Sequence, residues 1–282
     1  MRKFYLENKI GQRIDLNAAP YYFLNPQGLG IAFENTVAAI GNGFYKKTNS
    51  ASPAGGVTGE IAIVEGGGKN PYENYTALAD WLMQGIDLSL VYLPHGTTEF
   101  YSDIDINYIN KSEYTDTGYL SCVTSVICKT PWYKHTAKTL IITPGGGDSV
   151  SRFDMRFNFA FADSISGTVP INCSGHLPSA IRLTSNSALT NPRVELLDGS
   201  EVVSRMLLSD TAITAGQDFE YSSLYLSPGV WVDGVSKIDA LDLANENFFR
   251  IPPGREYRLR LASDAASDVS ATIYLYDYYR SV

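Results

Sequence analysis

What the chain has little of narrows its chemistry first. It holds three cysteines and three histidines in 282 residues, and charged side chains make up 18%. No stretch approaches the roughly eighteen apolar residues that mark a membrane-spanning helix. Cys122, Cys128 and Cys173 form an odd set without metal-ligand spacing, so buried free thiols of a reducing cytoplasm are expected. Cys122 and Cys128 lie six apart, on one face of a strand pattern. The opening "MRKFYLENKI" has two basic residues but no apolar core of signal-peptide length, which argues against conventional secretion. Positive charge is also short: the formal net charge is −8 and the pI near 4.9. That balance argues against a grip on nucleic-acid phosphates or on an anionic lipid surface.

What is abundant points to strands. The 19 tyrosines, 24 glycines and 13 prolines suit many short strands joined by tight turns, and the length has room for about two domains. From Phe4 to Val64 strand-sized pieces such as "FYLEN", "RIDLN" and "GEIAIV" alternate with turn residues. The polar run Lys47–Gly56 reads as a long loop or hairpin tip. One segment reads as a helix, "NPYENYTALADWLMQG", residues 70–85. Asn70 is placed to cap it, Pro71 to begin it, Glu73 to close a capping box and Gly85 to end it. Tyr75, Leu78, Ala79 and Leu82 share its apolar face.

After the helix, Ile104, Ile106 and Tyr108 alternate with Asp103, Asp105 and Asn107, predicting a strand with one dry face and a hairpin partner in "GYLSCVTSVICKTPWY". The glycine-rich "TPGGGDSV" is the linker candidate, giving domains 1–143 and 151–282 around a linker at 144–150. The second domain reads as strands throughout, "RFDMRFNFAF" first among them, with "KIDALDLANENF" ambiguous. Two sheets packed face to face account for it.

No motif carries catalysis. "DIDIN" lacks the glycine and glutamate of a calcium loop, whose places hold Tyr108 and Tyr114. "EGGGKN" and "PGGGDS" do not fit a phosphate-binding loop, and no nucleophile elbow is present. His95, His135 and His176 sit beside turns without forming a metal cluster. The expectation is no enzyme, no cofactor and no metal.

In "KTPWYKHT", Pro131 should end the strand that finishes near Cys128, and Trp132 and Tyr133 behind it look like a plug at a domain margin. Taken in order, "FYLENKIGQRIDLN", "GLGIAF", "GEIAIV", "YENYTALADWL", "DLSLVYLP", "INKSEYTDTGYLSCVTSVICKTPWY" and "NFFRIPPGREYRL" resemble the distal tail proteins of long-tailed (siphovirus-type) bacteriophages. The resemblance implies a mainly β protein: an N-terminal β-sandwich with one α-helix and an extended hairpin, and a C-terminal galectin-like β-sandwich. It implies a virion structural protein, assembled in the bacterial host cytoplasm from an infectious phage or a prophage. Six copies would form a ring joining the tail tube to the tip, the baseplate and the host-adsorption apparatus. Tube and tip proteins would be the partners, with neither nucleic-acid binding nor membrane insertion.

In that setting the Pro131-Trp132-Tyr133 element closes the first domain. Asn49, Ser50, Ser52, Pro53, Gly55 and Gly56 are candidates for an arm reaching a neighbouring subunit. The alternative is a carbohydrate-binding or adhesion module recognising host glycans, with Tyr221, Tyr225 and Trp231 as stacking aromatics.

Overall fold

The computed structural model describes residues 2–31, 34–51, 55–114, 118–142, 165–245, 247–264 and 268–282. The linker candidate at 144–150 and the "RFDMRFNFAF" strand lie outside them. The chain forms two compact units, Met1–Lys134 with Tyr279–Val282, and His135–Tyr278.

The first unit opens with β1 (Lys3–Asn8), β2 (Arg13–Asp15), β3 (Asn17–Ala18), β4 (Tyr21–Gln27), β5 (Glu34–Gly41), β6 (Phe44–Ala51) and β7 (Gly56–Ile63). Then follow α1 (Pro71–Leu82), β8 (Leu88–Leu93), β9 (Phe100–Tyr114), β10 (Leu120–Cys128) and β11 (Trp132–Ile142), which ends in the second unit. An antiparallel ladder runs β2-β1-β8-β9-β10-β7-β4-β3. It curls enough for Phe4 of β1 to meet Phe23 of β4 edge to face at 5.2 Å. That closure makes one apolar cluster from Phe4, Leu6, Leu90, Tyr92, Ile104 and Trp132, to which Tyr279 and Val282 return from the chain end.

The helix begins as its residues specify. The Asn70 side chain accepts the Glu73 N–H at 3.0 Å, and the Glu73 carboxylate accepts the Asn70 N–H at 2.8 Å. Beyond the last turn Gly85 takes φ +69, open to glycine at little cost. Leu78 packs into a second cluster with Ile61, Ile63, Leu120 and Cys122, so α1 covers the β7/β10 face. Asn74 is buried on the same helix, and its amide donates to the Val64 carbonyl at 2.9 Å, holding the loop that leads into α1.

The β9 alternation holds only in part. A register shift between Ser125 and Val126 of β10 sets one extra β9 residue against it. Beyond the shift Ile109 packs against the second cluster, while Tyr108, expected on the dry face, is exposed.

The second unit contains β12 (Ile165–Asn172), β13 (Leu177–Ser185), β14 (Leu189–Thr190), β15 (Arg193–Asp198), β16 (Glu201–Leu207) and β17 (Ala212–Ile213). It continues with β18 (Phe219–Ser223), β19 (Pro228–Val232), β20 (Val235–Ser236), β21 (Glu256–Ser263) and β22 (Val269–Tyr279). One sheet runs β20-β19-β18-β13-β22 and the other β12-β21-β15-β16. Ile181, Leu183, Tyr221, Leu259, Leu261 and Ile273 meet in a common core, while Arg182, Thr184, Arg258 and Arg260 alternate outward. The ambiguous "KIDALDLANENF" segment contributes one short 3-10 turn, Ile238–Ala240. Among the described residues α1 is the single α-helix.

Candidate assembly surface

The least self-sufficient part of the molecule is the β5–β6 ribbon. The two strands pair with each other and with no other described strand. Their turn is Asn42-Gly43, both at positive φ (50 and 81), the residue pair that favours a tight hairpin. Every residue from Glu34 to Asn49 is exposed. Among them are Val37, Ile40, Phe44 and Tyr45, the last three 68%, 71% and 68% accessible in the order Ile40, Phe44, Tyr45.

This corrects the reading of Lys47–Gly56 as a loop. Lys47, Asn49 and Ser50 lie in β6, paired with Val37, Thr36 and Asn35, and the hairpin tip stands earlier in the chain. Backbone pairing satisfies this polar stretch where composition suggested none. Gly55 and Gly56 belong to the body of the unit: the Gly55 carbonyl accepts the Cys128 N–H at 2.9 Å, and Gly56 pairs with Ile127. The Gly56 carbonyl lies so near Gly28 that a Cβ there would stand 2.0 Å from it. Ser52 and Pro53 lie outside the described residues.

Beside α1 runs an open groove of about 530 Å³, lined by Leu78, Leu82, Met83, Ile86, Ile106 and Ile109 among others. Met83 is 85% exposed. At the rim, Asp87 is bridged by Lys9 at 2.7 Å and Lys129 at 3.4 Å, and Lys129 also reaches Asp105 at 3.0 Å. The hydrogen bond from Lys9, with the charges of Lys9 and Lys129, holds the Asp87 carboxyl below its ordinary range.

Pro131 is exposed, whereas Trp132 is 6% accessible and sits 5.9 Å from the Tyr92 ring within the first unit's own core. Tyr133 stacks on Tyr101 at 5.8 Å and donates its hydroxyl to Asp103 at 3.0 Å. Asp103 also accepts from Ser89. Next to this pair Arg13 is bidentate on Glu99, at 2.8 Å to each oxygen, and also bonds Glu7. Burial and the Glu99 carboxylate push the Tyr101 hydroxyl up to about 12. Burial, with the charge of Glu60, pushes the Cys122 thiol up to about 11 against the opposing charge of Lys111, so it is protonated near neutrality.

The three proposed stacking aromatics do not form one surface. Tyr221 is fully buried and its hydroxyl donates to the Asn247 carbonyl at 3.0 Å. Tyr225 is half-exposed beneath the Arg250 guanidinium, 4.3 Å away. Trp231 lies on the outer sheet face across from Glu220, its ring against Gly229, where a Cβ would come within 2.3 Å of it. Strand parity separates these positions: Tyr221 pairs with Val230 on the inner face. Among the described residues no group of three or more His, Cys, Asp or Glu could hold a metal ion. Among the described residues no helix is long and apolar enough to cross a membrane.

Fold and surface define a mainly β two-unit protein that presents, among the described residues, an exposed ribbon and an open apolar groove. Residues 3–129 match the family described as the distal tail protein, N-terminal domain. The N-terminal part of the chain thus carries that domain. Solved structures share its fold, two of them as follows. A chain of the phage p2 baseplate in its activated conformation with Sr is 12% identical with a TM-score of 0.63, covering 95% of this chain and 99% of its own. The SPP1 Dit protein, described as a paradigm of hub adsorption apparatus in Gram-positive infecting phages, is 15% identical with a TM-score of 0.60, covering 97% of this chain and 98% of its own. No curated protein matches the chain.

Proposed function

We propose that this protein is the non-enzymatic hub at the distal end of a phage tail. Six copies close into a ring that joins the tail tube to the tip or baseplate, and the protein resides in the virion. The observation that carries this reading is the ribbon. A two-stranded hairpin is marginal on its own in water, and this one holds Ile40, Phe44 and Tyr45 in solvent. Such a surface is accounted for by a partner that covers it. A ring of identical subunits supplies one through head-to-tail contacts that close by rotation.

The test is the solution mass by light scattering over a wide concentration range, with negative-stain images of the heaviest fraction. A six-fold ring supports the hub. A monomer at every concentration, also after mixing with tube or tip protein, refutes it.

One observation favours a second reading for the C-terminal unit, glycan binding. The Trp231 ring packs against Gly229, and Trp231 pairs across the sheet with Glu220, which is itself bidentate with Arg182 at 2.8 Å to each oxygen. An indole next to paired polar groups is the arrangement on which a sugar ring stacks. Tryptophan fluorescence unchanged by a panel of host-wall saccharides removes this reading.

A further inference from the structure

We infer that the groove between α1 and β9 is the seat for the β5–β6 tip of a second copy of this chain. The inference rests on the ring reading and gives its contact an address. Donor and acceptor are different surfaces of the same unit, as a head-to-tail interface requires.

The two surfaces match in apolar chemistry. The tip presents Ile40, Phe44 and Tyr45, each about two-thirds or more exposed. The groove presents Leu82, Met83, Ile86, Ile106 and Ile109 around an opening of about 530 Å³. Met83 stands at its mouth, 85% exposed, and its unbranched thioether can mould itself around an incoming ring.

They match in charge as well. The last turn of α1 contains no basic residue, although the carbonyls at a helix C-terminus favour a cation. The cations near the groove are committed: Lys9 bridges Asp87, Lys129 bridges Asp87 and Asp105, and Lys111 lies over the Tyr72 and Tyr75 rings at 5.2 Å from each centroid, toward the start of the helix. Lys46 and Lys47 follow directly on Phe44 and Tyr45 and are exposed, so an apolar tip seated in the groove brings its own cations toward the helix end. Within its own chain the tip is solvent-exposed, which leaves it available to another copy.

The experiment is cysteine cross-linking of the full chain carrying Phe44→Cys together with Met83→Cys. The native thiols need no removal, because Cys122 and Cys173 are buried and burial raises the pKa of Cys128. Under mild oxidation the double variant is expected to give a reducible ladder of covalent oligomers, and each single variant none. A ring that forms by light scattering without a ladder overturns the groove assignment while leaving the hub reading intact. A dimer from Phe44→Cys alone also overturns it, by showing a tip-to-tip contact. Wild-type protein that stays monomeric with and without tail partners overturns the hub reading and this inference together.

Met83→Lys is the second variant, chosen because the side chain is exposed and its loss leaves the fold unburdened, and because a cation there opposes Lys46 and Lys47 of the tip. The seat predicts a rise of roughly tenfold or more in the concentration for half-assembly, as expected for a central contact residue, with an unchanged melting temperature. Partial rescue by Phe44→Glu is expected from the restored charge match. Assembly by Met83→Lys at the wild-type concentration overturns the proposal.

Discussion

Trp132→Ala tests the core reading of the first unit most sharply. The indole follows Pro131 at the start of β11, is 6% accessible, and packs 5.9 Å from Tyr92, which in turn stacks on Phe4 at 4.8 Å. A buried tryptophan removes on the order of 200 Å² from water, and at about 25 cal/mol per Å² this amounts to about 5 kcal/mol as an upper bound. Truncation also leaves a cavity against Leu90 and Ile104, which the ladder of β1, β8 and β9 cannot easily fill. The expected loss is about 3–5 kcal/mol, the range found for tryptophan and phenylalanine truncations in cores.

The assay is equilibrium urea unfolding of the full chain followed by far-ultraviolet circular dichroism, with calorimetry to resolve the two units. The loss should fall on the transition of the first unit. Tyr133→Phe is the matched control. It removes one half-buried hydroxyl on Asp103 and keeps the Tyr101 stack, so about 1 kcal/mol is expected. If Trp132→Ala costs less than about 0.5 kcal/mol, the scale of a neutral surface change, the indole does not hold the core and the reasoning fails.

Other outcomes follow from the same structure. Replacing Phe44 and Tyr45 together by Glu should leave unfolding stability within about 0.5 kcal/mol, because both are exposed, yet abolish ring assembly in negative stain; assembly that persists refutes the ribbon's role. Asn70→Ala removes the cap of α1 and should cost about 1 kcal/mol by urea unfolding, with loss of helical signal confined to that element. Alkaline stability has a definite sign. The Cys122 thiol moves from 9.0 to about 11 on folding and the Tyr101 hydroxyl from 10.0 to about 12, so in that range the folded state holds protons that the unfolded chain releases. Their contribution is complete below pH 9.0 and falls as pH rises toward about 12, and the urea midpoint should follow it down. A midpoint that stays flat over this window refutes the burial argument.

The helix was legible because its information is local. Asn70, Pro71, Glu73 and Gly85 each act through the backbone within a few residues, and each occupies the expected place. The end of β10 at Cys128, ahead of Pro131, was legible for the same reason. The face of Tyr108 was not, because a one-residue shift against β10 reverses strand parity and depends on the partner strand. Tyr221 and Trp231 looked alike as aromatics in one stretch, and only the pairing of β18 with β19 assigns them to opposite faces. The contributions of Tyr279 and Val282 to the first unit's core arise from sequence separations that no local pattern reports. The ribbon did carry a signal. Asn42-Gly43 between "NTVAAIG" and "FYKKTN" is a strong hairpin mark, and following it moves the hairpin tip from Lys47–Gly56 to the stretch flanked by Ile40, Phe44 and Tyr45.

That relocation changes what an arm must do. A polar flexible loop could cross to a neighbour and contribute little until ordered, paying its entropy on binding. A paired ribbon has already settled its backbone, so the cost of docking falls mainly on the side chains at its tip. Among the described residues no further strand pairs with β5 or β6, and Ile40, Phe44 and Tyr45 are exposed, a combination that invites indiscriminate association in solution. Lys46 and Lys47 stand directly beside the apolar tip, and charge at that position opposes strand addition by another ribbon. In the proposed seat, a groove with a cation-poor helix end accepts those lysines, whereas a second ribbon, carrying the same pair, meets them with like charge. On the ring reading proposed above, the two lysines discriminate between closure into a ring and growth of an aggregate. Replacing both with Gln should raise turbidity at high concentration before it weakens the ring, and the reverse order would show that they serve affinity instead.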